Sequence, residues 1–128
     1  MSAAHLEDII DFKACPLNDE AFAEQCRIRL DRDGVLMIQG FVRPETITTL
    51  VAEAEAEKSN AFFTSSTHNV YLTPPREELG SDHVFNRQIN SSKGCITTDQ
   101  VSKDSALHTI YDSESFRRFL AKVVGEAS

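Results

Sequence analysis

The chain has 128 residues, enough for one domain with a buried core, and its 41% hydrophobic and 26% charged residues set it apart from disordered proteins. Thirteen Lys and Arg against twenty Asp and Glu give a net charge of -7, whose field repels phosphate backbones and anionic lipid surfaces, so nucleic-acid binding is disfavoured. No basic segment leads into an apolar run at the start and no stretch holds 18 consecutive apolar residues, which argues against secretion and membrane spanning and for the cytoplasm.

Residues 1–18 lack sustained periodicity and read as a tail, with Ile9-Ile10-Asp11-Phe12 as a segment able to dock as a short strand or turn. Residues 19–128 read as a single α+β domain. Asn18 or Asp19 is placed to cap a helix over about 19–32, with Phe22, Cys26, Ile28 or Arg29, and Leu30 in an imperfect apolar stripe and Gly34 where a left-handed terminator is wanted. Val35-Leu36-Met37-Ile38 is a continuous apolar run between glycines, which predicts a central strand covered on both faces. Pro44 fits a first helical position, and Ile47, Leu50, Val51 and Ala54 then recur at helical spacing, with Glu53, Glu55 and Glu57 on a solvated face.

After the polar Thr64-Ser65-Ser66-Thr67, the segment His68–Thr73 alternates with period two and predicts a strand, Val70 and Leu72 on one face, Asn69 and Tyr71 on the other. Pro74-Pro75 ends it, and Arg76–Asp82 reads as a charged surface loop. Two further extended pieces are predicted at 84–89 and 95–98, separated by the turn-rich Asn90-Ser91-Ser92-Lys93-Gly94. Ser102 or Asp104 begins a short helix through Tyr111, and Asp112 or Ser113 caps a last helix whose Phe116, Phe119, Leu120, Val123 and Val124 match the helical template. A stripe that apolar closes the domain's own core or awaits a partner.

Chemistry-bearing patterns are sparse. Cys15, Cys26 and Cys95 are odd in number and lack C-x-x-C spacing, so reduced thiols are expected, with a Cys15–Cys26 bridge as the open alternative. His5-Leu6-Glu7 has the short half of a two-His-one-carboxylate iron site, but an end segment does not hold ligands rigidly, and a solvated tail accounts for it better. His68, His83 and His108 stand alone and are expected to be structural or at the surface. No G-x-S-x-G elbow, G-x-G-x-x-G or Walker loop is present. Arg87, among Phe85, Asn86 and Ile89, offers a guanidinium able to clamp a carboxylate in two-pronged fashion, against the ordinary account of a salt bridge or exposed strand charge. Asn69 and Tyr71 are candidate pocket liners, or the polar face of a strand.

The run Arg32–Glu45, the stretches Asn69–Thr73 and Gly94–Val101, and then Asp104–Tyr111 and Phe116–Leu120 resemble the N-terminal part of iron(II)- and 2-oxoglutarate-dependent oxygenases of the phytanoyl-CoA dioxygenase-like kind. The likeness is to a bacterial subgroup of amino-acid hydroxylases and radical halogenases, and covers most of residues 22–125. It implies the helix and strand buttress of a double-stranded β-helix (jelly roll), here an incomplete barrel. In that family the iron motif and the oxoglutarate-binding residues follow the segment that 116–125 resembles. The resemblance therefore assigns no catalytic and no metal-binding residue to this chain and offers Arg87 alone as substrate-facing; Asn69 and Tyr71 join it as candidate substrate-binding residues on their own reading as pocket liners.

The function so implied is an N-terminal portion or subunit of such an oxygenase acting on a small molecule, inactive alone, with Fe(II) and 2-oxoglutarate not bound by this chain by itself. Its partner would be the missing C-terminal half, another protein or a second copy. The rival is a noncatalytic protein-interaction module derived from an oxygenase scaffold. A third possibility is a small metal-binding enzyme using His5, Glu7 and one later His.

Overall fold

The computed structural model describes residues 5–126. The elements, in order, are α1 (Leu6–Ile9), α2 (Glu20–Asp33), α3 (Pro44–Glu57), β1 (Phe62–His68), β2 (Ile89–Cys95), α4 (Ala106–Tyr111) and α5 (Glu114–Val124), with single 3-10 turns at Lys58–Asn60, Val84–Asn86 and Thr98–Gln100. Helices thus combine with one two-stranded antiparallel sheet, β1 against β2, an α+β composition. Two compact units result: the first takes the chain up to Ala56 and from Val101 onward, the second Glu57–Gln100.

In the first unit, helix ends follow local chemistry. The Asp19 carboxylate accepts from the backbone N–H groups of Ala21 and Phe22, satisfying donors that α2 leaves open, and Gly34 ends α2 at φ 72°, a left-handed conformation that glycine adopts without a Cβ clash. Pro44 begins α3, where its missing N–H costs no bond. Ser105 and Ser113 cap α4 and α5. The cap of α4 thus falls one residue beyond the nearer of the two positions read from sequence.

The core contains Ile9, Ile10, Cys15 and Leu17, then Ala23 and Cys26 of α2, and Phe119 and Val123 of α5. Half of these residues come from the segment read as a tail with a docking anchor. Backbone bonds explain how it docks: Ile10 forms a bridge with Val42, Asp11 N–H donates to Phe41 O, and Arg43 N–H donates to Ile9 O. Phe22 and Phe119 stack with ring centroids 5.9 Å apart, tying α2 to α5. The buried Ser105 hydroxyl donates to Glu53 at 2.6 Å, tying α4 to α3.

Three expectations for extended structure are overturned. Residues 35–38 form no strand: Leu36 and Ile38 pack on the core, while Val35 and Met37 are 59% and 72% exposed. A continuous apolar run specifies burial on two faces only if ladders flank it, and here, among the described residues, only the isolated Ile10–Val42 bridge is nearby. The strand expected at His68–Thr73 lies upstream at Phe62–His68 and shares only His68 with the prediction. The pieces expected at 84–89 and 95–98 are replaced by a 3-10 turn at 84–86 and by β2, which runs through the Asn90–Gly94 tract read as a turn. Polar β1 and β2 carry no buried face, so no apolar alternation marks their register; it runs from Phe62 opposite Cys95 to His68 opposite Ile89.

The apolar stripe of α3 also departs from expectation. No residue of α3 is buried, and Ile47 and Val51 are 46% and 56% exposed.

Candidate functional site

The second unit joins β1 to β2 through residues 69–88, and two buried asparagines organise that long connection. Asn69 is fully buried: its Oδ1 accepts from the backbone N–H groups of Tyr71 and Thr73 at 3.1 and 3.0 Å, and its Nδ2 donates to Thr73 Oγ1 at 3.4 Å. A short amide side chain that captures the donors two and four residues ahead converts an extended segment into a turn, which is why the alternation from 69 to 73 does not become a strand. Val70 and Leu72 accordingly share no buried face and are 58% and 76% exposed.

Asn86 does the same over a longer span. Its Oδ1 accepts from Arg76 N–H at 2.8 Å, and its Nδ2 donates to the carbonyls of Arg76, Leu79 and Gly80 at 2.9, 3.1 and 3.2 Å. One side chain thus supplies hydrogen bonds that the loop backbone cannot find in regular structure. Tyr71 stacks on Phe85 with centroids 4.9 Å apart, and the Arg76 guanidinium lies 4.6 Å from the centre of the Phe85 ring.

Between these clips lies an open cavity of about 990 Å³ lined by residues from Thr67 to Gln88. Its apolar walls include Leu72, Leu79 and Val84, and its charged groups are Arg76, Glu77, Asp82 and Arg87. Of the three residues singled out from sequence, Asn69 and Arg87 line it, and Tyr71 stands in the adjoining aromatic stack. Asn69 spends its polar atoms on the turn and so shapes the wall. Arg87 is exposed and forms no ion pair among the described residues, which leaves its donors available. Sequence reading did not assign Asn86 a role; an Asn within a Gly- and Pro-containing loop is the signal that points to such a clip.

The histidines have local tasks. His83 Nδ1 accepts from Phe85 N–H, His68 Nδ1 lies 3.0 Å from Asn69 O, and His108 Nε2 lies 3.3 Å from Val101 O. His5 is exposed at the start of α1. Among the described residues no group of three His, Cys, Asp or Glu could hold a metal ion. The described residues thus offer no three-ligand set of the kind a two-His-one-carboxylate iron centre needs. No described helix is long and apolar enough to cross a membrane.

All three cysteines are free, Cys15 and Cys26 buried and Cys95 exposed. Burial pushes both buried thiols above the ordinary range, Cys15 further through the nearby Asp11 and Cys26, while Arg29 partly offsets the effect at Cys26. Such thiols stay protonated and serve as small apolar core residues.

Comparison with known proteins gives no matching family model, no matching curated protein and no matching solved structure.

Proposed function

We propose that this chain is the substrate-facing N-terminal portion, or a separate subunit, of an iron(II)- and 2-oxoglutarate-dependent oxygenase acting on a small molecule, with iron and cosubstrate held by another part of the assembly. The observation that carries this reading is the cavity of about 990 Å³ within 67–88, bordered by an Arg87 guanidinium with no ion-pair partner among the described residues. Its size suits a small organic ligand, and a concave site with apolar walls and a few placed polar groups is what such ligands require. Arg87 binds and orients a carboxylate through two parallel N–H donors, Tyr71 and Phe85 give the site an aromatic border, and Asn69 and Asn86 fix its walls. The resemblance of residues 22–125 to the oxygenase N-terminal region supplies the reaction class. The double-stranded β-helix buttress belongs to the same proposal.

Metal analysis and an oxoglutarate decarboxylation assay on the purified chain test this. The expected result is iron well below one equivalent and no turnover. Stoichiometric iron with decarboxylation by this chain alone would overturn the reading.

A second reading, a noncatalytic module that binds another protein or a second copy of itself, is favoured by one observation. Ile47 and Val51 of α3 and Phe62 and Phe63 of β1 are exposed at 46%, 56%, 65% and 71%. Ile47 and Val51 are one helical turn apart on α3, and Phe62 and Phe63 are adjacent on β1, so each pair is a small apolar surface of the kind a partner can cover. The native chain should therefore enhance the fluorescence of a hydrophobic dye, and replacing Ile47 and Val51 by Ser should reduce that signal about twofold. A native chain that binds no dye sinks this second reading.

A further inference from the structure

We infer that Leu72 is a specificity-determining residue of the 67–88 cavity, an apolar wall that selects monocarboxylates with an apolar tail over short ones. This rests on the reading that the cavity takes a small molecule held by Arg87. The observation is a conformational one. Among the described residues Leu72 is the one non-glycine residue with positive φ, at 57°. A left-handed conformation crowds the Cβ of an L-residue against its own carbonyl, and a turn there is ordinarily served by Gly or Asn. Burial does not offset the cost, because Leu72 is 76% exposed.

The strain persists because the turn is over-determined around it. Leu72 N–H donates to Asn69 O at 3.2 Å, while the Asn69 side chain holds the N–H groups of Tyr71 and Thr73 on either side. A large apolar side chain kept open to solvent at a strained position, on the wall of a cavity, is placed for contact with something outside the fold.

The cavity's charges define what that is. Arg76 is engaged over the Phe85 ring, so Arg87 is the cation left for a ligand. Glu77 and Asp82 also line the cavity and disfavour ligands with several negative charges, which leaves a single carboxylate. Leu72 and Val84 then offer the surface along which an aliphatic tail loses water.

The test is an NMR titration of the full isotope-labelled chain with acetate, butanoate and octanoate, following amides of residues 67–88, with Tm measured in parallel. In the unaltered protein, affinity should rise about two- to fourfold for each methylene that makes contact. Leu72→Gly should leave Tm unchanged or raised by a few degrees, leave acetate binding unaltered, and lower octanoate affinity by about tenfold. Arg87→Gln should weaken all three ligands by one common factor of about ten while preserving the dependence on tail length. Octanoate and acetate binding with equal affinity, or Leu72→Gly leaving their ratio unchanged, overturns the assignment of Leu72 while the Arg87 cavity stands. If no carboxylate shifts the 67–88 amides, the small-molecule reading itself falls, and the Leu72 assignment with it.

Discussion

Phe119→Ala is expected to destabilise the unit built from α2 and α5 by about 3–5 kcal/mol, the range for removing a buried aromatic ring from a core that collapses only partly around the hole. Phe119 is 4% exposed and stacks on Phe22 at an interplanar angle of 14°. Since domains are typically stable by only about 5–15 kcal/mol, this single truncation should bring the unit close to unfolding at room temperature. Leu120→Ala, the adjacent position on the same helix, should cost about 1 kcal/mol or less because Leu120 is already 42% exposed. Urea titrations followed by helical circular dichroism measure both, and equal costs for the two variants would mean that α5 does not bury the face described.

Asn86→Ala should have the second large effect, lowering the stability of the 67–88 connection by about 2–3 kcal/mol. The variant removes the acceptor for Arg76 N–H and the donor to Leu79 O, while the carbonyls of Arg76 and Gly80 keep the N–H groups of Leu79 and His83; a polar backbone group left without a partner costs about 1–3 kcal/mol where water cannot replace the bond. Asn86→Asp does not rescue it: the acceptor for Arg76 N–H is kept, but a carboxylate then faces the carbonyls of Arg76, Leu79 and Gly80. Hydrogen exchange at the Arg76 amide reads the change directly. Protection unchanged in Asn86→Ala would show that the loop is held by something other than this side chain.

The contrast between these two sites explains how much of the molecule was legible in its sequence. Helices were readable because their signals are local: Asp19 and Ser113 accept from donors two or three residues ahead, Pro44 begins α3 where its missing N–H costs no bond, and Gly34 stops α2 by its own backbone freedom. The sheet was not, because Thr64–Thr67 and Asn90–Gly94 are held by each other across a long connection, and neither strand buries a face that would print an alternation into the sequence. The run at 35–38 misled for a related reason: its apolar content reports that part of it is buried, not that strands flank it.

At the candidate site, Arg87 and Asn69 could be picked out by residue type and neighbourhood, and both line the cavity. The bond pattern that turns Asn69 from a strand residue into a turn clip, and the positive φ of Leu72 within that turn, are properties of the folded backbone and leave no periodic trace. Tyr71 illustrates the middle case. Its type was informative, but its partner Phe85 lies 14 positions away, beyond any local pattern.

The unit that contains the cavity is an uninterrupted stretch, Glu57–Gln100, whereas the other unit is assembled from chain on both sides of it. The Glu53–Ser105 bond of 2.6 Å closes the outer unit just outside the points where the chain departs and returns. In evolutionary terms this makes Glu57–Gln100 a cassette: changes within it can accumulate, or arrive by recombination, while the residues that pair α2 with α5 remain under a separate constraint.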